Sequence, residues 1–154
     1  MNKKYTISIV VIFIGILAVS FFAGSFVPYE DSVIAFRHVP GVTVTYVQLS
    51  SSTSFYRIFK ESSPGDEEMI TLDRDQSNLF QNSQLPSDTI HTFGTQKFGE
   101  NMFFVFTQSG TGVIPVFKHY QEYVNGYVVT VSIPENEKIE TVPFIDLSSI
   151  VIKP

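Results

Sequence analysis

Residues 6–27, TISIVVIFIGILAVSFFAGSFV, form an uncharged run of 22 residues near the start of the chain. As an α-helix rising about 1.5 Å per residue, such a run extends roughly 33 Å, enough to cross a hydrocarbon core of about 30 Å. Its interruptions, Ser8, Gly15, Ser20, Gly24 and Ser25, are small or hydroxyl-bearing. A serine in lipid bonds back to a carbonyl of its own helix, so none of these breaks the span. Lys3 and Lys4 precede the run, and Glu30 and Asp31 follow it. Basic residues stay on the cytoplasmic side and acidic ones contribute little to topology. The sequence therefore predicts a cytoplasmic start over 1–5, a transmembrane helix in the lipid bilayer over 6–27, and everything later outside the cell.

Two features bear on whether this segment is retained. Ala18-Val19-Ser20 and Ala23-Gly24-Ser25 offer the small residues at which a signal peptide is cut, and cleavage would give a secreted protein. The apolar run continues past both through Phe26 and Val27, and Pro28-Tyr29 suits a helix stop at the interface. A retained single-pass anchor is the favoured reading. Ser20 and Gly24 also have the spacing that lets two helices approach, a pattern common in any membrane helix.

The rest of the chain has the length of one domain and must build its core without staples, because there is no cysteine. That absence also excludes thiolate zinc sites, iron–sulfur clusters and thiol catalysis. Setting aside Lys3 and Lys4 leaves eight basic against fifteen acidic residues, a formal charge of −7. A domain of that sign repels phosphate backbones, so no nucleic acid is expected as a partner.

Beyond a connector over 28–41, the pattern has period two rather than 3.6. VTVTYVQL (42–49), FYRIFK (55–60), MITL (69–72), NMFFVFT (101–107) and FIDLSSIVI (144–152) read as strands, with shorter candidates at 33–36, 89–93 and 95–98. SSSTS (50–54), SSPGDEE (62–68) and the polar stretch 73–88 read as turns or loops. Pro115 marks an edge or bulge before 124. Asn125-Gly126 is the strongest local signal, since both residues accept the positive φ of a type I′ turn. It predicts a hairpin over 119–133. Eight or nine short strands without a helix imply an all-β antiparallel sandwich, or a barrel-like relative of one, over 42–154.

Chemistry-bearing residues are sparse. His38, His91 and His119 are candidate ligands for copper or zinc, with Met69 and Met102 as soft partners, but only the fold can bring them together. Asp73 and Asp75, with Ser77, alternate oxygen side chains as the start of a calcium loop does. Asn78 stands where that loop needs glycine, and Gln84 where it needs a closing glutamate. No motif for a catalytic nucleophile, a zinc protease or a dinucleotide site is present, and no cofactor is implied. Tyr123 and Tyr127 flank the Asn-Gly turn and are read as an exposed cross-strand pair, a surface for protein or glycan. The functional reading is a membrane-anchored exterior β-domain with a non-catalytic binding or assembly role. A metal-binding domain, cupredoxin-like or calcium-binding, is the alternative, and an exterior enzyme the second.

Overall fold

The computed structural model describes residues 26–62, 66–79, 90–108, 116–135 and 143–154. The apolar run lies outside these residues except for its last two positions. Among the described residues no helix is long and apolar enough to cross a membrane.

The chain forms ten strands among the described residues: β1 (Val27–Glu30), β2 (Ile34–His38), β3 (Thr43–Gln48), β4 (Thr53–Phe59), β5 (Glu67–Asp73), β6 (Ile90–Phe98), β7 (Asn101–Gln108), β8 (Phe117–Val124), β9 (Tyr127–Pro134) and β10 (Ile145–Ile152). They make two antiparallel sheets, one of three strands in the order β1-β2-β10 and one of seven in the order β3-β4-β5-β9-β8-β7-β6. The architecture is all-β and consistent with a sandwich. Residues 28–41, read from the sequence as a connector, instead supply β1 and β2. Period-two alternation is hard to see in strands of four and five residues, and Pro28 falls inside the first.

The core lies between the sheets. Ile34 and Phe36 of β2 and Ile145, Leu147, Ile150 and Ile152 of β10 pack on Tyr56, Ile58, Ile70, Leu72, Phe103, Val105, Val129 and Val131 of the large sheet. β9 is the middle strand of seven, and it is buried on both faces along Val128-Val129 and Val131-Ser132-Ile133. Its run of β-branched residues suits a strand with no solvent side.

Polar clamps fix the small sheet on the large one. The buried Glu68 of β5 accepts from the backbone N–H groups of Phe144 (2.7 Å) and Ile145 (3.1 Å), where β10 begins. Asn101 Nδ2 donates to the carbonyls of Leu147 and Ile150, both at 2.9 Å, across the register break within β10. Asn125 Nδ2 donates to Ile152 O at 2.7 Å, where β10 ends. At the other edge Asp31 accepts from the N–H groups of Val33 and Ile34 and from the Tyr56 hydroxyl at 2.7 Å.

The predicted hairpin is present. Val124 stands opposite Tyr127, and Asn125 (φ 50) and Gly126 (φ 83) take the left-handed conformation of a type I′ turn. Gly99, at φ +61, turns β6 into β7 so close to β10 that an added Cβ would lie 3.0 Å from Ser148 Cβ. The candidates at 89–93 and 95–98 are one strand, β6, broken in register between Thr92 and Gly94. Of the polar stretch 73–88, residues 76–78 form a 3-10 turn, and Gln84, like Pro115, lies outside the described residues.

Candidate binding site on the outer sheet face

Strand alternation gives the seven-stranded sheet a second face, turned away from the small sheet. Register carries one row across it: Met69 of β5, Ser132 of β9, His119 of β8, Phe106 of β7 and Thr92 of β6. The adjacent row runs Thr71, Thr130, Gln121, Phe104. A cavity of about 330 Å³ opens over these rows, lined by Thr71, Phe106, Gln108, His119, Gln121, Thr130 and Ser132, with Asp73, Asn78 and Val128 at one end. That volume is at the lower end of the range for small-molecule sites.

His119 is the central side chain. Its ring stacks on Phe106 at 5.0 Å between centroids and 28° between planes. Its Nδ1 lies 2.9 Å from the Ser132 hydroxyl. Burial disfavours the imidazolium and pulls its pKa from 6.5 down to about 4, so the ring is neutral at physiological pH. No buried side-chain nitrogen or oxygen among the described residues lacks a partner, so Nε2, which bonds nothing there, is open to the cavity. The side chains of Thr71 and Gln108 also face it without a hydrogen-bond partner among the described residues. Gln121 is held in place, donating to Asn78 O (3.1 Å) and Thr130 Oγ1 (3.0 Å).

The one carboxylate at the cavity among the described residues is occupied. Asp73 accepts from Thr53 Oγ1 (3.2 Å), Asn78 Nδ2 (2.7 Å) and the Asp75 N–H (2.8 Å). Asp75 caps the 3-10 turn by accepting from the Ser77 N–H at 2.9 Å, and those bonds hold its carboxyl below the usual range. The alternating oxygens of this stretch are thus turned onto their own backbone, as short Asp side chains do in turns.

The three histidines sit on three different strands. His38 is buried on β2 with Nδ1 at 2.8 Å from Val39 O, His91 is exposed on the edge strand β6, and His119 lies on β8. No group of three or more histidine or acidic side chains among the described residues is arranged to hold a metal ion. Of the two methionines, Met69 is a neighbour of Ser132 in register and Met102 is exposed.

Tyr123 and Tyr127 do not form a cross-strand pair. A two-residue turn sets Val124 opposite Tyr127 and Tyr123 opposite Val128, so the two tyrosines occupy opposite faces. The Tyr123 hydroxyl accepts from Gln76 Nε2 at 2.6 Å, and the Tyr127 hydroxyl from Arg74 at 2.7 Å, with the guanidinium 5.0 Å from the Tyr127 ring. Both tie the hairpin to the segment after β5.

Sequence reasoning singled out His119 as a metal ligand and passed over Phe106, Gln108, Gln121, Thr130 and Ser132. These residues converge only because β9, β8 and β7 are adjacent. The available signal was polar residues at alternate positions of strands otherwise dense in apolar ones. No family model matches the chain, and no curated protein is similar enough in sequence to count as a relative.

Proposed function

We propose that this chain is a membrane-anchored, extracytoplasmic β-sandwich that binds a small, uncharged, hydroxyl-rich ligand such as a saccharide on the outer face of its large sheet. One observation carries the reading: a cavity floored by the neutral His119 ring and Phe106, with the amide of Gln108 and the hydroxyl of Thr71 at its wall unengaged by any described residue. Flat rings offer stacking area, and amide, hydroxyl and neutral imidazole groups each bond a hydroxyl. No Lys or Arg lines the cavity among the described residues, so none of them offsets the charge of a phosphate. Asp73, already accepting three hydrogen bonds, has little left for a cation.

The Ser132–His119 contact has the form of a nucleophile beside a base. Its setting works against that role. A base with a pKa near 4 removes protons poorly at neutral pH, and no carboxylate orients the ring. The contact serves instead to fix the ring plane. The anchor reading rests on the uncharged run 6–27, and β1 begins at its last residue. The sandwich would then stand directly on the membrane surface, at the exterior of the cell.

The test is thermal unfolding of the full-length chain in a detergent without a sugar head group. Glucose, N-acetylglucosamine and inorganic phosphate are the probes. A ligand of the folded state raises the midpoint, and the stability it adds grows with the logarithm of its concentration, reaching about 2.7 kcal/mol at a hundred times Kd. A neutral saccharide should do so and phosphate should not, and Phe106→Ala should remove the shift. A rise with phosphate alone, or with neither saccharide, overturns the ligand assignment.

A further inference from the structure

The two sheets end in four edge strands, and an uncovered edge presents unpaired N–H and C=O groups that recruit another strand unless something blocks them. Three of the four are blocked. β1 is four residues long, contains Pro28, and ends at Glu30, which pairs with Lys153 at 2.8 Å. β10 is broken in register between Asp146 and Val151. β6 is bulged between Thr92 and Gly94 and carries Lys97.

β3 has none of these devices. TVTYVQ contains no charge, no proline and no glycine, and it pairs with β4 in unbroken register from Thr43–Phe59 to Gln48–Ser54. Thr43, Thr45, Tyr46 and Gln48 are exposed, Tyr46 at 47%. Half of its backbone groups, on the side away from β4, meet no strand among the described residues.

We propose that β3 is a pairing edge through which two copies of this chain join antiparallel, so that the large sheet of one continues into that of the other. A two-fold axis at Thr45 sets Val44 against Tyr46 of the second copy on the core side. On the outer side it sets Thr43 against Val47. Both are β-branched or aromatic pairings of the kind that stabilise antiparallel strands. A second copy fits better than a charged peptide, because the strand offers no charge to select one and meets none when paired with itself. The domain's formal charge of −7 opposes approach of two copies elsewhere on the surface, so the neutral seam is where they can meet. A six-residue seam is small, and tethering to one membrane supplies the effective concentration it needs; that part rests on the anchor reading.

The chain has no cysteine, so one introduced thiol reports alone. Full-length T45C and, as the control edge, T95C on β6 are reconstituted in phosphatidylcholine vesicles, oxidised with copper phenanthroline, and resolved without reductant. T45C should give disulfide-linked dimer about tenfold faster than T95C, and adding Thr43→Lys to T45C should suppress it with little change in the thermal midpoint. Absence of crosslinking at Thr45, or equal crosslinking at both positions, overturns the proposal. Flotation of the same vesicles separates it from the anchor reading. A chain that floats without a Thr45 crosslink refutes the edge, and one that crosslinks at Thr45 without floating keeps the edge and refutes the tether.

Discussion

Each face of the seven-stranded sheet holds a titratable side chain largely away from water, Glu68 on the inner face and His119 on the outer, and burial pushes the two in opposite directions. On the inner face Glu68 sits among apolar core residues, and burial raises its pKa to about 7 although two backbone N–H groups favour the anion. On the outer face the same desolvation lowers His119 to about 4. Both groups therefore favour their neutral forms. The inner one needs its bonds to hold β10 in place, whereas the outer one leaves a nitrogen open. The inner face uses its polar group to join the sheets, and the outer face leaves several without a partner among the described residues, the contrast on which the proposed ligand site rests.

The largest effect expected is on the inner face. Glu68→Ala leaves the N–H groups of Phe144 and Ile145 without their acceptor at the sheet interface. Each such group costs about 1–3 kcal/mol. Denaturant unfolding at pH 6 should therefore show a loss of about 2–6 kcal/mol. Phe106→Ala on the outer face should cost about 3 kcal/mol, the low end for a buried aromatic, since the ring is 5% exposed but borders a cavity.

Acid–base behaviour sharpens the comparison. Glu68, raised from 4.5 to about 7 on folding, contributes stability that is full below pH 4.5 and lost as pH rises through 7. His119, lowered from 6.5 to about 4, contributes stability that is full above pH 6.5 and lost as pH falls through 4. Between pH 4.5 and 6.5 the two slopes oppose, so unfolding free energy should vary little there from these two groups. His119→Gln removes one of them, and stability should then fall with rising pH across the window. Glu68→Gln removes the other, and stability should fall toward acid instead. The same slope in both variants would contradict the opposed shifts.

The smallest effect separates a clamp from a pairing edge. Tyr56→Phe removes the hydroxyl that Asp31 accepts and should cost about 1 kcal/mol, while the Asp31 carboxyl, which bonds from Ile34, Val33 and Tyr56 hold down against its burial, should titrate higher by NMR. Thr45→Lys, exposed on the edge strand and opposite Arg57, whose charge is already paired with Glu67, should stay within about 0.5 kcal/mol of the parent.

Much of the fold was legible. Alternation located β3, because a strand with one buried face repeats every two residues, and aromatic or dense apolar runs located β4 and β7. Asn125-Gly126 located the hairpin, because few residue pairs accept two positive φ values. β1 was missed, since a strand of four residues gives alternation too few positions to show, whereas the short candidate at 33–36 is the start of β2. The Tyr123–Tyr127 pairing was misread although the two-residue turn already decides it, because residues four apart across such a turn fall on opposite faces.

What the sequence determined by itself is the set of local choices: strand or turn at each segment, an uncharged run of membrane-spanning length, a domain without cysteine chemistry. Each depends on residues within a few positions of one another. Only the tertiary structure decided that β5 lies against β9 and β9 against β8. From that order follow the placement of Ser132 beside His119, the stacking of His119 on Phe106, and the use of Glu68 to hold a strand 77 residues away at Ile145. Strand order is settled by how the whole set of apolar faces is buried at once, and no single stretch of residues carries that information.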